Sequence, residues 1–346
     1  MSVSKEQITT ALKQVIFFAK ANNIVDLGMI HDIEINGNEV KIVVVFPKLD
    51  DPAVGIVSNS IDKTLKAEIA NDLVITIKPI SEKDLGIGPL SGVKNIIAII
   101  SGKGGVGKST VAANLAVSLA KAGHDVGILD ADIMGPSVPI MFGVEDGQPG
   151  VIEREGKPKM IPIENHGVKI LSLGFFVKAD QALMWRGSMI NNAFNQLMTD
   201  AEWGNLDFLV IDMPPGTGDI QLTLAQSYKI KGAVLVTTPQ KIAVADVRRA
   251  AMMYRQDKLE IPILGIVENM SYFIPDDMPE KKYYIFGKGS SDDLAKELKV
   301  PIIGQIPMVA KVRETGDNGK PISLSNDNVV SRAFADLAAK VIESVN

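Results

Sequence analysis

Nine consecutive residues, Gly102-Lys103-Gly104-Gly105-Val106-Gly107-Lys108-Ser109-Thr110, constrain the fold of this chain more than any other stretch. They satisfy G-x-x-x-x-G-K-[ST]. The apolar run Ile96–Ile100 stands just before them, and a helical period through Val111, Leu115 and Leu119, closed by Gly123, stands just after. A strand that enters a glycine-rich turn and leaves as a helix turns backbone N–H groups and a helix N-terminus toward a phosphate. The motif therefore predicts a nucleoside-triphosphate site. Residues 102–110 form the cradle, Lys108 reaches the terminal phosphates and Ser109 ligates Mg²⁺.

The motif sits in a matching pattern. From Lys94 onward, short apolar runs alternate with helical segments: 96–100, 126–129, 168–173, 208–211, 233–236, 263–267 and 302–306. Continuous apolar strands of this kind are buried on both faces, which predicts a doubly wound, mostly parallel α/β domain over 94–346. The first 80 residues read differently. A helical period spans 5–21, strands are expected at 29–35 and 40–46 around Asn36-Gly37-Asn38, a helix at 53–70 and a strand at 73–77. This gives a small αββαβ domain over 1–80, joined by a Gly-, Pro- and Ser-rich linker over 81–93. The fold class is thus α/β, a small αββαβ N-terminal domain followed by a P-loop NTPase domain.

Two acidic strand ends follow the loop. Leu129-Asp130-Ala131-Asp132 closes one predicted strand and Leu209-Val210-Ile211-Asp212 another, where open α/β sheets place their ligands. Asp212 reads as the acid that holds Mg²⁺ through water. It leads into Met213-Pro214-Pro215-Gly216-Thr217-Gly218-Asp219, stiff at the prolines and free at the glycines, which suits a γ-phosphate switch. Val267-Glu268-Asn269-Met270 closes a later strand, and Thr237-Thr238-Pro239-Gln240, which closes another, is expected near the base.

The P-loop string, Asp130-Ala131-Asp132-Ile133-Met134-Gly135-Pro136-Ser137, residues 212–219 and Glu268-Asn269-Met270-Ser271-Tyr272 together resemble the Mrp/ApbC family of iron–sulfur carrier ATPases. The resemblance covers nearly the whole chain, and Val25-Asp26-Leu27-Gly28 carries it in the N-terminal domain, which is similar to that of iron–sulfur assembly factors. Lys103 matches the deviant Walker A lysine of the ParA and MinD class. The resemblance implies an ATP- and Mg²⁺-dependent homodimer with ATP at the interface and slow turnover. Lys103 acts across that interface, Lys108 in cis, Asp132 orients water, Asp130 lies nearer the metal and Asn269 meets the adenine. It also implies delivery of an iron–sulfur cluster to apoproteins or work beside other assembly factors. A positioning ATPase like ParA or MinD, and an ATP-regulated adaptor without a cluster, are the alternatives.

The family's Cys-x-x-Cys falls on Pro275 and Met278 here. The chain has no cysteine, which excludes disulfides, thiol catalysis and thiolate-held clusters. Asp276, Asp277 and Glu280 nearby read as a solvated loop, and His31, His124 and His166 are too scattered to ligate a metal. The net charge of −5 gives no reason to expect nucleic acid, and the basic group Lys241, Arg248, Arg249 and Arg255 reads as a solvated helix face. No stretch is long and apolar enough for a membrane span, residues 329–345 read as a core helix rather than a membrane anchor, and no targeting signal is visible. The expected location is cytoplasmic.

Overall fold

The computed structural model describes the chain apart from residues 1, 2, 48, 50, 86–89, 155, 177–184, 257, 258, 260, 276, 279 and 327. Two units, 1–88 and 89–346, each hold their own core.

In the first unit, helix α1 (Lys5–Leu12) starts from a capping box. Ser4 Oγ accepts from the Gln7 N–H, and Gln7 Oε1 accepts from the Ser4 N–H. The expected helix over 5–21 stops at Leu12. Val15 and Phe17 are buried while Ile16 is exposed, a period of two, and Ile16–Phe17 pairs with Asn22–Asn23 as a short hairpin. Strands β1 (Ile30–Asn36) and β2 (Glu39–Phe46) are antiparallel about Gly37, whose φ of +65° suits the turn. Helix α2 (Ala53–Glu68) buries Val57, Ile61 and Leu65 and returns the chain to β3 (Val74–Ser81), parallel to β2. The segment expected as a linker from 81 begins with the last residue of β3 and a helical turn, Glu82–Leu85; its residues 86–89 lie outside the described residues.

The second unit is built on β4 (Val93–Ser101), β5 (Val126–Asp130), β6 (Ile163–Asn165), β7 (Val168–Ser172), β8 (Leu206–Asp212), β9 (Gly232–Thr237), β10 (Ile263–Phe273) and β11 (Ile302–Met308). Their order is β6-β7-β5-β8-β4-β9-β10-β11, all parallel except the β6–β7 edge pair. The helices are α3 (Lys108–Lys121), α4 (Gly187–Thr199), α5 (Asp219–Ser227), α6 (Lys241–Tyr254), α7 (Ser290–Leu298), α8 (Ala310–Asp317) and α9 (Val329–Val345). Alternation along β4 shows how the sheet is covered. Ile96, Ala98 and Ile100 pack with Phe194 of α4, Leu224 of α5 and Val247 of α6. Ile97 and Ile99 pack with Leu115 of α3 and Phe334 of α9. Both faces are apolar because both are under helices.

Helix α9 is a core helix, as its periodicity predicts: Asn328 caps it, and Phe334, Leu337 and Val341 are buried. Among the described residues no helix is long and apolar enough to cross a membrane. An exposed hairpin, Gly150–Arg154 with Lys157–Ile161, and the short strand β6 have no counterpart in the sequence reading. The chain passes from β4 across β8 to β5, and later crosses β4 to reach β9. The C-terminal end of β4 is therefore the point where the winding direction reverses, and crevices in such sheets open there.

Candidate functional site

The loop between β4 and α3 occupies that reversal point. Gly105 and Gly107 have φ of +82° and +79°, values that glycine adopts without strain. Gly102 is required for another reason: a Cβ there would stand 2.0 Å from the Asp246 carbonyl carbon and 2.2 Å from the Val247 nitrogen of α6. Packing of α6 against the loop thus excludes any side chain at 102. The loop borders a cavity of about 260 Å³, lined also by Lys103, Lys108, Ser109, Asp132 and Pro215. Five of the sequence-predicted groups (Lys103, Lys108, Ser109, Thr110 and Asp132) therefore share one cleft at the N-terminus of a 14-residue helix. Convergent N–H groups, a helix dipole and lysines suit an anion of phosphate type.

Lys108 is buried and its Nζ donates to Asp212 Oδ1 at 2.5 Å and to Ser109 Oγ at 3.3 Å. Burial pushes the Asp212 carboxyl above its ordinary range, and Lys108 opposes that. Asp212 Oδ2 is buried without a hydrogen-bond partner among the described residues. An orphaned carboxylate oxygen beside the Ser109 hydroxyl is a donor set that fits Mg²⁺, a hard cation with oxygen ligands.

Asp130 stands beside Asp212 in strand register but does not line the cleft. It is fully buried, absent from the cavity lining, and its oxygens are taken by the N–H groups of Asp132 (3.0 Å) and Val138 (3.2 Å) and by the Ser172 hydroxyl (3.3 Å). Burial and the neighbouring Asp212 push its carboxyl up to about 8. Strands β7, β5 and β8 align Ser172, Asp130 and Asp212 in one row, which brings the Ser172 hydroxyl to Asp130.

Asn269 meets the P-loop itself. Its Nδ2 donates to the Val106 carbonyl at 2.9 Å and lies 2.2 Å from where a Cβ on Gly107 would stand. It also borders a second cavity of about 380 Å³, with apolar walls from Ile140, Met270, Ile306, Met308 and Val312, that shares Thr110, Ser137 and Met141 with the first. An apolar cavity continuous with a phosphate cradle has the shape and chemistry for a nucleoside. Residues 237–240 border neither cavity; Thr237 and Thr238 are buried and bonded locally instead.

Gln221 escaped the sequence reading. It is buried at the start of α5, and its Nε2 donates to the carbonyls of Pro214 (2.8 Å) and Gly216 (3.3 Å), tying down the 213–219 loop. A glutamine one turn into an apolar helix after a Pro-Gly loop was the available signal. Ser172 left none, because only strand register brings it to Asp130.

Beyond β10 the chain folds back, Phe273 and Tyr283 exchanging both backbone hydrogen bonds at 2.8 and 3.0 Å. Pro275 and Met278 lie within this hairpin, and Lys282 Nζ sits 4.3 Å over the Tyr272 ring. Asp276 is outside the described residues; Asp277 and Glu280 are exposed. Among the described residues no three His, Asp or Glu side chains group as a metal site. His124 lies 3.5 Å from Asp207, and His166 Nε2 lies 2.9 Å from the Gly319 carbonyl. The basic face of α6 is paired rather than merely solvated: Arg248 with Glu297, Arg249 with Asp246, and Arg255 with the Leu298 carbonyl.

Comparison with known proteins gives the family and the fold. Residues 92–342 match the family model described as NUBPL iron-transfer P-loop NTPase, and residues 5–77 match one described as iron–sulfur cluster assembly protein. An iron–sulfur cluster carrier protein of Synechocystis is 41% identical over 99% of this chain and 98% of its own length. One from Aquifex aeolicus is 50% identical over 73% of this chain and 69% of its own. A nucleotide-binding protein of Archaeoglobus fulgidus, solved with ADP, superposes with a TM-score of 0.59 at 39% identity, covering 69% of this chain and 92% of that one. The cell-division ATPase MinD of Pyrococcus furiosus shares the fold, with a TM-score of 0.52 at 22% identity over 72% of this chain and 98% of its own.

Proposed function

Because this chain belongs to the NUBPL iron-transfer P-loop NTPase family, we propose that it is an ATP-binding and ATP-hydrolysing switch that works as a homodimer in iron–sulfur assembly. The observation that carries the reading is the convergence of Lys103, Lys108, Ser109 and Asp132 on one cleft continuous with an apolar cavity. The ADP in the Archaeoglobus relative supports it.

ATP seats its base against Met270 and Met308 and its phosphates on residues 102–110. Lys108 then exchanges Asp212 for the terminal phosphates. Mg²⁺, when bound with the nucleotide, neutralises phosphate charge, and Ser109 and Asp212 are the residues that would hold it. Asp132 orients the attacking water, and Lys103 acts on the partner protomer's nucleotide as an arginine finger would. Loss of the γ-phosphate releases residues 213–219 from the nucleotide, and Gln221 then holds them. Lys108→Ala is expected to abolish nucleotide binding. Lys103→Ala is expected to keep binding but lose turnover and ATP-dependent dimerisation, read by phosphate release and light scattering. Unchanged turnover in both variants would overturn the assignment.

The cargo follows from chemistry. Cluster iron is held by thiolates, and this chain has none; Pro275 and Met278 do not fit the group. The ATP cycle therefore serves client apoproteins or assembly factors without a thiolate-held cluster on this chain. Anaerobic incubation with ferrous iron and sulfide, with and without MgATP, should leave no stoichiometric iron after desalting. Iron with matching labile sulfide, dependent on Lys108, would reverse this reading.

A further inference from the structure

We infer that Asp130 is a positioning residue: the two oxygens of its buried side chain pin both ends of segment 131–138 and thereby set where Asp132 stands. The inference rests on the cleft being the hydrolytic site proposed above. Asp130 is the last residue of β5, and the chain beyond it leaves the sheet as a loop that returns at Val138. Both ends of that loop finish on one side chain, Oδ1 taking the Asp132 N–H and Oδ2 taking the Val138 N–H. Between these two points lie Gly135 and Ser137, which line the cleft with Asp132.

The pin is itself held from two neighbouring strands. Ser172 Oγ donates to Oδ2 and accepts from the Gly174 N–H at 3.0 Å. A Cβ on Gly174 would stand 2.6 Å from Pro136 Cβ, so the turn after β7 is a floor on which the pinned loop rests. On the other side the Ala131 N–H donates to the Asp212 carbonyl at 2.9 Å. The loop that carries Asp132 is thus tied to Asp212, the residue paired with Lys108.

The residue type follows from this arrangement. Two backbone N–H donors must be met by two acceptors on one short side chain, and asparagine has only one acceptor oxygen; its NH₂ would face the second donor. A buried carboxyl group is costly unless bonded, and these three donors meet it on both oxygens. A group so engaged acts on the reaction through backbone geometry rather than through the ligand.

The test uses Asp130→Asn and Ser172→Ala in the full chain, with kcat, KM for ATP, the Mg²⁺ activation midpoint and amide exchange over 131–138 measured for each. For Asp130→Asn, kcat should fall about tenfold or more, the loss of one such hydrogen bond, while KM and the Mg²⁺ midpoint stay within about twofold. Exchange at the Asp132 and Val138 amides should quicken. Ser172→Ala, which removes a single hydroxyl that does not line the cleft, should move kcat and exchange the same way by less, and it keeps the test open if Asp130→Asn folds poorly. A Mg²⁺ midpoint raised about tenfold in Asp130→Asn, with Ser172→Ala like wild type, would make Asp130 a metal ligand and overturn the inference. Unchanged kcat and exchange would overturn it as well. Should wild type hydrolyse no ATP, the proposed function fails while the exchange measurement still decides whether the pin exists.

Discussion

Lys108 Nζ lies 2.5 Å from Asp212 Oδ1, and both side chains are almost wholly removed from solvent. One begins the helix after the P-loop and the other ends the strand beside β4, so the sheet's central register brings them together. A buried pair of this kind is kept by mutual compensation. A phosphate entering the cleft offers Lys108 a second anion, which makes the pair the natural point for ligand and fold to compete.

Breaking that pair from one side should be expensive. Lys108→Met leaves Asp212 buried without its counter-charge and is expected to destabilise the nucleotide-free protein by about 3 kcal/mol or more. Adding Asp212→Asn to that variant removes the stranded charge and should recover more than half of the loss. Urea denaturation in EDTA at neutral pH reads both; a double variant no more stable than Lys108→Met would refute the account.

Glycines 102 and 104 of the same loop should respond in opposite ways. Alanine at 102 would clash with the backbone of α6, while alanine at 104 meets nothing within 4 Å among the described residues. Overpacking against rigid backbone predicts a Tm drop of at least about 5 °C for Gly102→Ala, against a change of about 2 °C or less for Gly104→Ala. Equal melting temperatures would show that α6 does not press on the loop.

The carboxyl of Asp130 makes apo stability depend on pH. Its folded value is pushed up to about 8 by burial and by Asp212, whereas an unfolded aspartate titrates near 3.9. Between these values the folded chain holds a proton that the unfolded chain gives up. The resulting stability is complete below about pH 4 and is lost as pH rises through about 8. In EDTA, wild type should therefore lose stability relative to Asp130→Asn between pH 5 and 8, by roughly 1 kcal/mol per pH unit. The slope belongs to Asp130 and Asp212 together, since the two interact. Parallel urea-midpoint curves for the two proteins would remove the basis of this prediction.

Gln221 supplies both of its amide protons' bonding to one loop, at Pro214 and Gly216. Gln221→Leu keeps the volume and loses those bonds, which should cost about 1–2 kcal/mol and expose residues 216–218 to faster amide exchange. Exchange as slow as in wild type would mean that the Gly216 N–H bond to the Ser101 carbonyl, 3.0 Å, holds the loop by itself.

Much of the architecture was legible without coordinates. The nine-residue loop, the apolar runs flanking it and the alternation of strand and helix are local patterns, set by φ/ψ sterics and by periodicity, and they led to the doubly wound sheet that the structure has. The same local reading placed Lys103, Lys108, Ser109 and Asp132 at strand and helix ends, where the fold gathers them. It erred where local signals overlap. Val15 to Phe17 continues a helical period on paper but alternates as a strand, and the hairpin over 150–161 is exposed and so carries no burial pattern.

What tertiary structure alone decided is which way each polar group faces. Asp130 and Asp132 are two residues apart and chemically identical, yet one is consumed by backbone donors and the other lines the cleft. Ser172, 42 positions along the chain, adds a third donor from beside Asp130 in parallel register. Asn269 likewise spends its amide on Val106, 163 residues away. Periodicity and motif specify what a segment becomes because they act between near neighbours. The satisfaction of a buried hydrogen bond depends on partners that only the assembled sheet brings within 3 Å or so.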